Sequence, residues 1–179
     1  MTTVRLRPEG PADGAAIRRV VARAFARPDA GEPAEPGLVD ALRATPAWLP
    51  ELSIVAEAAG EIVGYALLSR VFVEPGRVPA LALGPVAVLP ERQRLGYGTD
   101  VVQAALDAAA DLGERLVVVL GDPAFYRRFG FQPASRFGLV SPWAGLGAPW
   151  QALVLPPDVS DPPPPPVGEV TYPSPWSLV

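Results

Sequence analysis

One stretch limits what this chain can fold into: Gly84 to Val102, GPVAVLPERQRLGYGTDVV. It reads as an apolar strand, a short charged loop carrying two glycines, and the opening turns of a helix. Gly84 and Pro85 interrupt the strand. Proline cannot donate to a ladder and glycine tolerates unusual dihedrals, so the strand is expected to bulge or splay there. In Gln93-Arg94-Leu95-Gly96-Tyr97-Gly98 the glycines permit a tight turn, and the helix that follows presents unpaired N–H groups and the positive end of its dipole. Such a place suits a phosphate or diphosphate, with Arg92 and Arg94 supplying charge-assisted donors. Taken alone, the glycine pair is equally compatible with an ordinary strand-to-helix turn. A dinucleotide fingerprint would need glycine where Val101 stands, and a Walker loop would need a lysine.

The elements around it alternate. Val4 and Leu6 pattern as a short strand ended by Pro8. Ile17, Val20, Val21, Ala24 and Phe25 fall at helical spacing up to Pro28. Residues 29–37 are rich in proline, glycine and acidic groups and are expected to be loop, with a shorter helix over Leu38 to Ala44. Leu52 to Ala58 and Ile62 to Val73 are strand-like runs joined by Ala59-Gly60-Glu61, a tight hairpin, and Leu81 to Leu89 is a third. A helix over Thr99 to Leu112 stops at Gly113, and the apolar run Leu116 to Leu120 completes a strand–helix–strand unit, which implies parallel pairing. A helix after Gly121-Asp122-Pro123, a strand from Phe131 and another over Gln151 to Leu155 follow. The whole predicts an α/β chain with a mixed, mostly antiparallel sheet and helices on both faces.

The chain of 179 residues, with 49% hydrophobic residues and mean hydropathy +0.22, is expected to form one domain over 1–155. Residues 156–179 form a proline-rich segment, including Pro162 to Pro166, read as a stiff connector or a ligand for aromatic-grooved modules. Its apolar end (Val170, Tyr172, Trp176, Leu178) predicts that it folds back onto the domain. No apolar run reaches the roughly 18 residues that a membrane span needs, and no cationic leader is seen, so a cytoplasmic protein without membrane contact is expected. Cysteine and histidine are absent and all 15 basic residues are arginine. That removes thiol and Ser-His-Asp catalysis, the usual transition-metal ligands and lysine Schiff bases, leaving Asp, Glu, Tyr, a terminus or water for proton transfer. A net charge of -4 argues against nonspecific nucleic-acid binding.

Gln93-x-x-Gly96-x-Gly98 after the strand Gly84 to Leu89 resembles the acyl-CoA-binding motif of the GNAT N-acetyltransferase superfamily. Downstream, AFYRRFGF, in which Tyr126 is followed four and five residues later by Gly130 and Phe131, resembles its second signature. With Gly168-Glu169-Val170-Thr171-Tyr172-Pro173, the run is similar to the YhbS-like subgroup, and the resemblance spans about residues 3 to 173. It implies the GNAT fold and an acetyl-CoA-dependent transfer of an acetyl group to a primary amine by direct attack, with no metal. Backbone groups of Val86, Ala87 and Val88 would pair with the pantetheine arm. Amides of Arg94, Leu95, Gly96, Tyr97, Gly98 and Thr99 would hold the pyrophosphate. Tyr126 would protonate the departing thiolate; its other reading is a packed aromatic. Many relatives carry a glutamate on the strand before the loop, where this chain has Ala82, so no base carries over. Glu57 and Glu74 are candidates acting through water, or surface carboxylates. Ser69 could bind the acceptor, and Arg127 and Arg128 could reach phosphates or face water. The missing glutamate leaves a non-catalytic acyl-CoA sensor or scaffold as an alternative, and a role centred on the tail as a third reading. A homodimer is compatible with such folds, and the acceptor stays unidentified.

Overall fold

The computed structural model describes residues 3–141, 144–157 and 159–179. The chain forms β1 (Val4–Pro8), α1 (Gly14–Phe25), α2 (Glu35–Arg43), β2 (Ser53–Ala58), β3 (Glu61–Glu74), β4 (Val78–Val88), α3 (Tyr97–Asp111), β5 (Leu116–Leu120), α4 (Pro123–Tyr126), β6 (Gln132–Pro133), β7 (Leu139–Val140), β8 (Trp150–Val154) and β9 (Gly168–Thr171). One mixed sheet holds every strand, in the order β1-β2-β3-β4-β5-β8-β6, with β9 bridging β3 and β7. All pairs on the main path are antiparallel except β4–β5, the parallel pair expected from the strand–helix–strand unit.

Local chemistry accounts for the elements. The β2–β3 hairpin turns through Ala59 (φ 52°) and Gly60 (φ 77°), both left-handed, the geometry that matches strand twist in a two-residue loop. Helix α2 begins at Glu35, three residues before the expected start and inside the span expected to be loop. Pro36 lies in its first turn, where a missing N–H breaks no intrahelical bond, so proline opens this helix instead of excluding it. Helix α3 starts at Tyr97, with Gly96 as its left-handed N-cap (φ 95°). The sequence pattern did not show β9, which sits just past the prolines and pairs Phe72 to Glu74 of β3, continuing the edge that β2 leaves at Leu67.

Alternation along the central strands divides the interior. Leu81, Leu83, Val117 and Val119 join a core with Ile17, Val20, Val21, Leu38, Leu42, Val101 and Val102 from the helices. Ala80, Ala82, Leu116 and Val118 face a second cluster with Trp150, Ala152 and Val170. A buried polar chain ties α2 to the sheet. The Tyr65 hydroxyl lies 2.9 Å from Ser53 Oγ, Ser53 donates to Glu9, and Arg43 of α2 pairs with Glu9 at 3.0 Å. Among the described residues, no helix is long and apolar enough to cross a membrane.

Candidate active site

The site follows from a break in one strand. Leu81, Ala82 and Leu83 of β4 pair with Val117, Val118 and Val119 of β5. Opposite β3, the register then slips: Leu83 faces Leu68 and Val86 faces Ala66, so Gly84 and Pro85 are accommodated against a single residue of β3. Beyond this bulge β4 stays paired with β3 through Val86, Ala87 and Val88 but has left β5. The two parallel strands diverge, and a cleft of about 960 Å³ opens between them.

The glycine loop closes one end of that cleft. Arg94 (φ 61°) and Gly96 (φ 95°) both take left-handed dihedrals, and the first amides of α3 have no side-chain cap. Those amides have no intrahelical acceptor and carry the positive end of the helix dipole. Arg94, Gly96, Gly98 and Thr99 line the cleft beside Val86, Ala87 and Val88. The side chains of Leu95 and Tyr97 do not. Leu95 is 62% exposed, and Tyr97 packs against the core, so these two residues could contribute only through their backbone. Arg128 belongs to the same end: its Nη1 donates to Thr99 Oγ1 at 3.1 Å, its Nε to the Phe125 carbonyl at 2.8 Å, and its guanidinium stacks 4.6 Å from the Phe125 ring centre. Arg127 is not among the cleft residues.

Tyr126 ends α4, the single helical turn that follows β5. Asp122 caps that turn, its Oδ1 accepting from the Ala124 amide at 2.8 Å. The Tyr126 ring is 8% exposed and sits edge-on to Phe125 (4.9 Å) and Phe131 (5.6 Å). Its hydroxyl has no protein partner among the described residues, and the residue lines the cleft. Burial pushes the phenol up to about 12, so at neutral pH it is a protonated donor and not a base. Gly121, read in the sequence only as part of a turn, is what admits the ring. A β-carbon there would meet Tyr126 Cδ2 at 3.1 Å and would lie closer still to Cε2.

The proton acceptors weighed from the sequence are elsewhere. Ala82 is 2% exposed and pairs with Ser69 and Val118, so the strand offers no carboxylate at that position. Glu57 pairs with Arg7 at 3.0 Å, and Glu74 accepts from the Arg77 amide at 3.2 Å; neither lines the cleft. Ser69 is fully buried and accepts a hydrogen bond from Trp176 Nε1 at 3.2 Å. Sequence reasoning missed the opposite wall. Phe25 of α1, Glu35 and Leu38 of α2, and Tyr172 and Trp176 after β9 all line the cleft. The fold-back expected for the apolar tail was the available signal for the last two.

Three comparisons agree with this geometry. The family model described as "Acetyltransferase (GNAT) family" matches residues 19–131. The uncharacterized N-acetyltransferase YhbS of Escherichia coli (strain K12) is 31% identical over 146 residues, covering 82% of this chain and 84% of that one. Among solved structures, a GNAT family acetyltransferase from Brucella melitensis in complex with acetyl-CoA superposes with a TM-score of 0.76 at 34% identity, covering 97% of this chain and 98% of the other. Escherichia coli YhbS in complex with CoA superposes with a TM-score of 0.85 at 29% identity, covering 99% and 93%.

Proposed function

The chain belongs to the GNAT acetyltransferase family and is an N-acetyltransferase, and from that premise we propose that it carries the acetyl group of acetyl-CoA directly to a primary amine in the cleft between β4 and β5. The observation that carries this reading is the parting of β4 from β5 at Gly84-Pro85, which leaves the outer edge of Val86 to Val88 without a strand partner beside the glycine loop, its Val88 carbonyl accepting from Gln93 Nε2 at 3.2 Å. An open edge accepts an extended ligand as it would a strand, so the pantetheine arm lies along Val86, Ala87 and Val88. The amides from Arg94 to Thr99 hold the pyrophosphate, and Arg128 stands within the same cluster. Two solved relatives hold acetyl-CoA or CoA, which supports the choice of donor.

In the transfer, the neutral amine nitrogen attacks the thioester carbonyl and a C–N bond forms. The tetrahedral intermediate collapses, the C–S bond breaks, the thiolate takes the proton of the Tyr126 hydroxyl, and the proton that the nitrogen sheds as the amide forms restores that hydroxyl through water. A phenol pushed up to about 12 by burial stays protonated at neutral pH, so it holds a proton to give when the thiolate departs beside it. Proximity does most of the remaining work, because the reaction needs no covalent enzyme intermediate. The test is acetyl-CoA consumption against a panel of amines, repeated with Tyr126→Phe. Loss of one general acid lowers kcat by about 10²-fold or more while stabilisation by CoA is kept. Full turnover by the phenylalanine variant would remove Tyr126 from the mechanism.

A further inference from the structure

The cleft has two chemically different ends. One carries Arg94, Arg128 and the loop amides. The other is walled by Phe25, Leu38, Tyr172 and Trp176, which offer rings and aliphatic surface. Trp176 is held in place from two sides: its Nε1 donates to Ser69 Oγ at 3.2 Å, and its ring meets Tyr172 edge-on at 5.5 Å. Glu35, in the first turn of α2, lines the same cleft beside them.

Glu35 differs from the acidic side chains near it. The other acidic side chain lining the cleft, Asp122, is engaged by the Ala124 amide at 2.8 Å. On the same helix Asp40 pairs with Arg43 at 2.9 Å, and Glu9 also takes Arg43, at 3.0 Å. Glu35 makes no hydrogen bond and no ion pair among the described residues, although it is half-buried. A half-buried carboxylate beside apolar side chains and without a counter-ion gains most from a cationic ligand, since the low local dielectric strengthens the pairing.

We propose that Glu35 receives the ammonium group of the acceptor and takes its proton, and that the acceptor is a primary amine carried on a single apolar body that rests against Phe25 and Trp176. This rests on the transferase reading above. One N–H bond of the ammonium breaks, the proton passes to a Glu35 oxygen, and the freed lone pair attacks the thioester; Glu35 returns that proton to water after the amide leaves. An anionic acceptor is repelled at this wall.

The test is calorimetric titration of the full chain, with and without bound CoA, using 2-phenylethylamine, the uncharged 2-phenylethanol and the anionic phenylacetate. Wild type binds the amine at least about tenfold more tightly than the alcohol, in line with a charge-assisted hydrogen bond, and does not bind the acid. Glu35→Gln, checked for an unchanged melting temperature, loses that tenfold preference while its affinity for the alcohol and for CoA stays as in wild type. Equal binding of amine and alcohol by wild type, an undiminished amine affinity in Glu35→Gln, or no amine binding at all overturns the assignment. Failure of CoA to bind overturns the transferase reading instead, and the CoA-free titration still reads Glu35.

Discussion

Gly121 decides where the Tyr126 hydroxyl sits, and replacing it by alanine tests the proton-donor assignment without touching the tyrosine. The added methyl would lie 3.1 Å from Cδ2 and 3.4 Å from Cζ of the ring, and nearer still to Cε2. Carbon atoms rest at about 3.5–4.0 Å, so one side must move by on the order of 1 Å. The backbone resists: the Gly121 amide donates to the Pro149 carbonyl at 2.9 Å, and Gln151 Nε2 donates to the Gly121 carbonyl at 3.2 Å. Gly121 does not have a positive φ, so the effect is contact and not backbone strain. The ring therefore yields, against Phe125 and Phe131. Overpacking of this kind costs about 1–3 kcal/mol, which lowers the melting temperature by several degrees. A displacement near 1 Å of a catalytic group costs about 10² in rate. Gly121→Ala should thus lose about 100-fold in kcat while keeping its CoA affinity, because the three atoms nearest the new methyl all belong to Tyr126 and none to the loop from Arg94 to Thr99. Since both changes strike one proton transfer, the double variant with Tyr126→Phe should be no slower than Tyr126→Phe alone. Native kcat in Gly121→Ala, or fully multiplicative losses in the double variant, would refute the reasoning.

Two other outcomes follow from the geometry. Gly96→Ala places a β-carbon on a residue with φ 95°, a strain of about 1–2 kcal/mol, and should weaken CoA binding roughly tenfold by calorimetry. Gly113→Ala, strained similarly at φ 76° but far from the loop in sequence, should lower the melting temperature and leave CoA affinity alone; equal loss in both would show a general stability effect. In alkali, Tyr126 and Tyr172 are pushed by burial from 10.0 to about 12, and Tyr65 moves further in the same direction. The folded state keeps protons that the unfolded chain releases, so this stability is complete below pH 10 and is lost as pH rises through about 12. For Tyr126 the loss approaches about 2–3 kcal/mol. Melting temperatures should fall steeply from pH 10 upward and less steeply in Tyr126→Phe; parallel slopes would contradict the assignment.

The parts of the fold readable in the sequence are those set by local chemistry. The Ala59-Gly60 turn, the parallel strand Leu116–Leu120, the helix stop at Gly113 and the interrupted strand at Gly84-Pro85 each rest on a few neighbouring residues. The same locality made the loop and Tyr126 visible, because their pattern lies in two short runs. The opposite wall was not visible. Glu35 looked like one more acid in a proline-rich loop, since only the folded chain shows that Pro36 opens a helix and that this helix faces the cleft. Strand β9 pairs residues nearly one hundred positions away in the chain, Phe72 with Thr171, and nothing in its own four residues announces that partner. The Gly121 contact with Tyr126 depends on interatomic distances that residue types do not encode.

The break in β4 also bears on how the protein avoids its own kind. Val86 to Val88, paired with β3 on one side and with no strand on the other, are the sort of edge on which another chain could add a strand and begin to aggregate. Here that edge lies within the cleft, which Leu120, Phe125 and Tyr126 line from the other side and which the glycine loop closes at one end. A full β-strand, with side chains on both faces and neighbours 4.7–4.9 Å apart, needs more length and width than three recessed residues offer. A single thin, extended arm does not. The divergence that makes room for a ligand thus also decides what shape of ligand is admitted, and keeps a reactive edge from becoming a seam between molecules.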